Sequence, residues 1–499
     1  MAVIEILCAF VVFLLALYYY IITPFEYWKK RGIPGPEPLP PFGNFLPVIL
    51  GKISIGDQMA RFYQTYKHLP VFGVYARRQQ VLAVNDPDLI KTVLIKEFSK
   101  FSNRGVALNE VAEPLSQHLF ALETKRWRPL RARLSPIFTS GKLKETFSMI
   151  LDCSNTLEKY LDSLVSEGEP IDMREVTAKF TTDVIGTCGF GIDMNAMSSE
   201  QSKFREIGRE FFGPGWKQAL KIRLRESLSG LYTLLGYILP RDETTIFFTK
   251  VVMDVIEYRK KNNIVRPDYI NALMDIQKHA EKFDFKITDH LLAAQAFVFF
   301  VAGFETSATT IANALYELAQ NQDVQHKLRN EIKEHFDTND GEWHYENIKE
   351  LSCLDGVFKE TLRKYPPITV IMRRSMEEHT FEDLKLTIPK NTKIFIPIYA
   401  IHHDPDIYPN PEAFDIDRFK GNVAAARHPM YYLPFGDGPR NCIGARFAVY
   451  QTKIGLIKIL RNYKVDVCSQ TQIPYINHPR TFTLTPKHQI MLKVTKLES

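Results

Sequence analysis

The chain has 499 residues, 45% of them apolar, with 34 Phe and 22 Tyr, and a formal net charge of +6. A chain of this length and content buries a large core, and so small a positive charge gives no argument for nucleic acid as a partner. Its six cysteines, Cys8, Cys153, Cys188, Cys353, Cys442 and Cys468, are scattered and form no CxxC pair, which argues against a zinc scaffold or a disulfide framework.

Ile6 to Ile22 is seventeen residues without a charge, with Tyr18, Tyr19 and Tyr20 near its end. That is at the short end of the roughly 17 to 25 residues that cross a bilayer. No basic region precedes the run and no small-residue cleavage site follows, so it reads as a retained anchor rather than a signal peptide. Lys29, Lys30 and Arg31 follow and place the rest of the chain on the cytosolic side. "IPGPEPLPPFGN" holds five prolines between Pro34 and Pro41 and is stiff and extended. The chain thus divides into an anchor (1–22), a basic and proline-rich linker (23–44) and one large domain (45–499).

"VFGVYARRQQVLAV", residues 71–84, predicts two short strands around a polar turn. Asp86 then predicts an N-cap, with Pro87 at the first helical position. After residue 140 the pattern is mostly helical. No internal repeat, GxGxxG or Walker A motif occurs, so electrons for any redox chemistry come from a partner. Leu291 to Phe304 is fourteen residues with only Gln295 polar. That is too short for a second span and predicts a buried helix running on to about Gln320.

"FGDGPRNCIG", residues 435–444, places Cys442 after a glycine-rich turn. Ile443, Phe447, Tyr450, Ile454, Ile457 and Leu460 recur at steps of three and four, which predicts a helix beginning at the cysteine. Amide groups, the helix N-terminus and Arg440 would stabilise a negative sulfur. Such a thiolate is a nucleophile or a metal ligand, and no histidine base is evident in the sequence for the former. A buried inert cysteine is the bland alternative.

Phe435, Gly436, Gly438, Arg440, Cys442 and Gly444 match every fixed position of the haem-binding signature, so the chain resembles the cytochrome P-450 monooxygenases. The resemblance implies a mainly α fold with smaller β-sheets, haem lying between a long central helix and the cysteine-loop helix, and an N-terminal transmembrane anchor in the endoplasmic reticulum membrane. It implies haem b ligated through Cys442, with O2 as co-substrate. It also implies NADPH supplying electrons through a reductase flavoprotein, and cytochrome b5 as a further partner.

Other stretches extend the likeness. "AGFETS" resembles the oxygen-activation motif: Thr306 would hold oxygen and a water by hydrogen bonds, Glu305 would relay protons, and Gly303 would leave room for oxygen. "ETLRKYPP" and "PEAFDIDRF" resemble the segments that bring Glu360, Arg363 and Arg418 into one buried structural cluster, with Ile416 where the family usually has proline. "WRPLR" sets Trp127 and Arg131 on one helix face, where both can donate to an anion. The resemblance makes that anion a haem propionate and adds Arg104 and Arg440 as further contacts. Arg373 and Arg374 are both candidates for one more.

Lys125, Arg126, Arg128, Arg131 and Arg133 fall within nine residues, and their outward members would dock an acidic flavoprotein. Pocket walls are expected from 106–122, 297–302, 368–372 and 481–484, and a lid from about 204–239. "EPLSQHLFALE" and "RLSPIFTSGKLKETF" are similar to the insect microsomal branch that metabolises toxins and plant compounds. Hormone or lipid hydroxylation stays open. So do a thiolate-haem isomerase or dehydratase and a non-enzymatic haem sensor, although the acid–alcohol pair speaks against both.

Overall fold

A computed structural model describes residues 2–198, 202–212, 221, 224–225 and 228–498. The chain opens with α1 (Ala2–Ile22), whose side chains from Val3 to Tyr20 are exposed. Among the described residues, two helices are long and apolar enough to cross a membrane. The first has none of its apolar window buried; the other, Asp289–Gln320, has 72% buried and is a core helix.

The expected hairpin is present as β1 (Val71–Ala76) and β2 (Gln79–Val84), antiparallel with Val71 opposite Val84. Asp86 caps the helix Pro87–Lys91 by accepting from the Leu89 N–H at 2.9 Å. Helix α2 (Thr124–Leu134) carries the basic run, and α3 (Met173–Ile185) follows it. The long helix is α4 (Asp289–Gln320), whose start is fixed by Thr288, its Oγ1 accepting from the Leu291 N–H at 3.1 Å. Next come α5 (Ser352–Lys364), β3 (Ile371–Arg374), β4 (Lys393–Ile396), α6 (Ile398–His402) and α7 (Ala445–Asn462).

The main sheet has the order β1-β2-β4-β3. β2 and β4 run parallel, the other pairs antiparallel. Two smaller sheets join Ile171–Asp172, Met491–Lys496 and Tyr463–Asp466, and His379–Phe381 with Leu386–Ile388. One large hydrophobic cluster packs around α4 and α7, and a second around the main sheet. The architecture is mainly helical with small sheets, as the sequence predicts.

α3 lies against the middle of α4. Thr181 Oγ1 donates to the Phe304 carbonyl and Thr177 Oγ1 to the Ala308 carbonyl, each at 3.0 Å. A Cβ on Gly303 would lie 2.3 Å from Ile185 Cδ1. Gly303 therefore lets α3 approach closely, while the residue itself keeps some accessible surface.

Glu360, Arg363 and Arg418 do meet. Arg363 Nε and Nη2 donate to the two Glu360 oxygens at 2.8 Å each, and Arg418 Nε lies 3.3 Å from Glu360 Oε1. Glu360 and Arg363 are fully buried. Ile416 opens the turn Ile416–Phe419, which Asp415 caps, so the missing proline leaves Arg418 in place.

Buried His402 is held neutral. Burial, with His403 and the Arg363 guanidinium adding like charge, pushes its pKa down to about 3. An unfolded histidine titrates near 6.5. Its stabilising contribution is therefore fully present above about pH 6.5 and is lost as pH falls from there toward 3. Thermal unfolding should show the natural chain losing about 1 kcal/mol more than His402→Gln between pH 7.5 and 5.5. Equal losses would contradict this.

Candidate functional site

The turn carrying Cys442 is closed by its own backbone. The Cys442 N–H donates to the Phe435 carbonyl at 2.9 Å, Gly436 N–H to Leu433 O at 3.0 Å and Asn441 N–H to Gly438 O at 3.0 Å. Gly438 has φ +75°, and a Cβ there would sit 2.0 Å from the Leu94 carbonyl oxygen. No other residue fits without moving the helical turn that carries Leu94. Helix α7 begins at Ala445 with Gly444 as its cap. Cys442 thus lies in the loop before the helix, which corrects the expectation of a helix starting at the cysteine. Apolar spacing marks the buried face of α7 but cannot see the turn that precedes it.

Cys442 has exposed surface, yet burial pushes its thiol above the ordinary cysteine range. An accessible atom so far from bulk solvent faces an internal space. The Gly444 N–H, Arg131 and Arg104 favour the anion, but burial outweighs them.

Four of the expected arginines converge on this turn. Arg131 Nη1 donates to the Asn441 carbonyl at 3.0 Å and Nη2 to its side-chain oxygen at 2.9 Å. Arg104 donates to the Phe120 carbonyl at 2.9 Å and the Arg440 carbonyl at 2.8 Å. Arg440 donates to the Leu122 carbonyl and lies over the Trp127 ring, 4.5 Å from its centroid. Arg373 is buried beside them, whereas Arg374 turns to the opposite strand face and pairs with Glu123 at 2.6 Å. Burial first, and neighbouring guanidiniums second, push Arg104, Arg373 and Arg440 down to about 9. Arg440 Nε and Nη1 and Arg373 Nε are buried with no hydrogen-bond partner.

On α4 every residue from Leu291 to Ala319 is buried except Val298, Phe299, Ala302, Gly303 and Thr306. Those five form a single stripe at steps of one, three and four. Phe299 approaches Phe447 of α7 with ring centroids 6.2 Å apart, so the stripe borders the start of the cysteine-loop helix. Thr306 Oγ1 donates to the Ala302 carbonyl at 2.6 Å. Glu305 is buried and faces away from Thr306, its Oε1 accepting from Arg174 Nη2 at 2.7 Å.

Gln295, the lone polar residue of the apolar run, is fully buried. Its Nε2 donates to the Gln117 carbonyl at 2.7 Å and its Oε1 accepts from the Leu119 N–H at 2.8 Å. It pins the 106–122 loop to α4, a role whose sequence signal was that single amide among hydrocarbons. Phe120 of this loop meets Phe482 edge-on at 6.0 Å, and Leu484 N–H donates to the Pro367 carbonyl at 2.9 Å. Two of the expected wall segments, 106–122 and 481–484, are thereby joined, and the second also bonds to the residue just before 368–372. The expected lid includes the described helices Lys203–Phe212 and Ser229–Ile238, while 213–220, 222–223 and 226–227 lie outside the described residues. Tyr232 Oη and Arg225 Nη1 donate to the Glu113 carboxylate at 2.8 and 2.6 Å, latching this region to the loop.

The basic run is divided in its contacts. Arg126 is part-buried and bound to Glu110 and Gln117, and Arg131 holds the cysteine loop. Lys125, Arg128 and Arg133 are the exposed members, so Arg126 is not among the outward charges.

The family model described as cytochrome P-450 matches residues 33–494. Among named proteins, the chain is 39% identical over 491 residues to probable cytochrome P-450 6a14 of Drosophila melanogaster, covering 95% of this chain and 96% of that one. It is 38% identical to cytochrome P-450 6A1 of Musca domestica, with 95% of each covered. It is 36% identical to cytochrome P-450 6k1 of Blattella germanica, covering 97% of this chain and 95% of that one. With a signature loop, a central helix and relatives that all run nearly end to end, the chain belongs to the cytochrome P-450 family, a class of haem-iron monooxygenases.

Proposed function

We propose that this chain is a microsomal haem-thiolate monooxygenase. It is anchored in the endoplasmic reticulum membrane by α1, with the domain from residue 45 on the cytosolic side. It oxidises an apolar small molecule, a xenobiotic or plant toxin, with NADPH electrons delivered through a reductase flavoprotein and assisted by cytochrome b5. The observation that carries the reading is the group of buried arginines beside Cys442. Three guanidiniums share one region, and three of their N–H-bearing nitrogens are buried and unbonded. Such a concentration of charge is costly unless an anion completes it. A flat ligand bearing two carboxylates, with a metal to meet the sulfur, supplies that anion, so the residues fit haem.

In this reading Cys442 would ligate the haem iron, and Arg440, Arg373, Arg104 and Trp127 would hold the propionates. Arg131 acts through the loop: its guanidinium is spent on Asn441 and fixes the residue next to the sulfur. The bound haem supplies the activation of O2 and the transfer of one oxygen atom. Thr306, on the accessible stripe of α4, keeps its hydroxyl proton on the Ala302 carbonyl and offers its oxygen to the internal space. Rotating the hydroxyl turns it into a donor there. Glu305 must leave Arg174, whose side chain is 30% exposed, before it can pass a proton inward. The Phe120, Phe482 and Val298 side chains give the space an apolar wall suited to a greasy substrate.

The test is NADPH-dependent oxygen uptake with a reductase and product analysis. An isomerase, a dehydratase or a sensor consumes no O2 under these conditions. Assignment to toxin metabolism draws on the insect relatives and on the stretches quoted above; a single hormone or lipid substrate turned over to the exclusion of plant compounds would overturn it.

Thr306→Ala should lower product formed per NADPH about tenfold or more, the scale of a lost proton-handling group, with NADPH consumption within about twofold of the natural rate. Unchanged coupling would remove Thr306 from the chemistry. Arg373→Met should weaken haem retention about tenfold, the scale of one charge-assisted hydrogen bond. Arg374→Met, which breaks only the pair with Glu123, should leave it within about twofold. Lys125→Glu with Arg128→Glu should raise the KM for reductase and flatten its salt dependence, and an unchanged KM would move the docking face elsewhere.

A further inference from the structure

One histidine joins the buried ion pair of α5 to the turn that carries Cys442. His402, the last residue of α6, is fully buried. The Leu433 N–H donates to its Nε2 at 3.1 Å. Its Nδ1 lies 3.2 Å from the Arg363 carbonyl. A backbone N–H needs an acceptor and a carbonyl needs a donor, so only one neutral tautomer satisfies both: proton on Nδ1, lone pair on Nε2. Arg363 Nη1 answers by donating to the His402 carbonyl at 2.8 Å. Tyr432 stacks on the ring, centroids 5.6 Å apart and planes 21° from parallel.

These bonds form an unbroken route. Glu360 fixes the Arg363 guanidinium. Arg363 and His402 hold each other. His402 then holds Leu433, whose carbonyl accepts from Gly436, and the same turn closes on Cys442 through Phe435. The sulfur is thus tied through one imidazole to an ion pair that is fully buried on both sides. Burial and the adjacent His403, Arg363 and Arg427 all oppose protonation of that ring, so the required tautomer stays neutral.

We propose that His402 is a positioning residue for the cysteine ligand: its fixed tautomer sets the height and tilt of the Leu433–Cys442 turn and so the strength of the sulfur–iron bond. This rests on the reading of Cys442 as the axial ligand. A group that only fills space would affect stability alone. A group that sets the turn alters the ligand bond in whatever protein is folded.

The test uses the full chain with its haem in membranes. His402→Phe keeps the ring and its stacking on Tyr432 but removes both hydrogen bonds. His402→Gln keeps an acceptor within reach of Leu433. Three quantities are read: total bound haem, the share of the reduced carbon monoxide spectrum at the thiolate-ligated position, and the iron–sulfur stretching frequency by resonance Raman. For His402→Phe the thiolate share should fall about tenfold, the scale of loss for a group that orients a metal ligand. The stretching frequency should drop, and His402→Gln should recover most of both.

A His402→Phe protein with natural thiolate share and frequency overturns the proposal, whatever its melting temperature. If His402→Phe does not accumulate, His402→Gln and His402→Asn are compared, because Asn is too short to reach Leu433 while holding Arg363. Identical spectra for the two overturn the proposal, and a loss confined to Asn supports it. A natural chain with bound haem and no thiolate band would instead overturn the reading of Cys442, and this proposal with it.

Discussion

Three guanidiniums, Arg104, Arg373 and Arg440, are packed into one buried region beside Cys442, and much of the domain serves to keep them there. Like charges in a medium of low polarity repel by several kcal/mol at contact distances. The structure offsets this with backbone oxygens of Phe120, Leu122 and Arg440 itself, and with the Trp127 ring under Arg440. What is left over is donor capacity aimed at an anion. The same donors fix the ends of the 106–122 loop and of the cysteine turn, so recognition of the anion and construction of the pocket wall are one arrangement.

The opposite wall depends on α4. Between Leu291 and Ala319 this 32-residue helix leaves accessible only a stripe ending at Thr306. Gln295 anchors the loop above that stripe, and Thr177, Thr181 and Gly303 seat α3 behind it. The acid and the alcohol of the Glu305–Thr306 pair therefore lie in different surroundings. Thr306 borders the internal space, and Glu305 sits in an ion pair that leads toward solvent through Arg174. Their adjacency in sequence puts them about 100° apart around the helix, and that rotation separates their tasks.

Much of this was legible in the sequence wherever the signal was local. The hairpin at 71–84, the Asp86 cap and the extent of the long helix follow from alternation, a capping side chain and an unbroken apolar run. The turn at Gly438 follows from a motif whose spacing is stereochemically specific. What could not be read depends on which face another element covers. Arg373 and Arg374 are neighbours in sequence, yet a strand sends them to opposite sides, and only the sheet order decides which one is buried. Arg126 and Arg128 differ by the chance of Glu110 lying near one of them. The contact of Gly303 with Ile185 leaves no local signal because the two are more than a hundred residues apart. His402 left no signal: its importance comes from two backbone groups that are distant in the chain.

Ligation of haem iron by Cys442 is tested by a reduced carbon monoxide difference spectrum of the full chain in membranes. The natural protein should show a strongly red-shifted Soret band that disappears in Cys442→Ala. A band at the position typical of histidine-ligated haem, or one that survives loss of the cysteine sulfur, would contradict it.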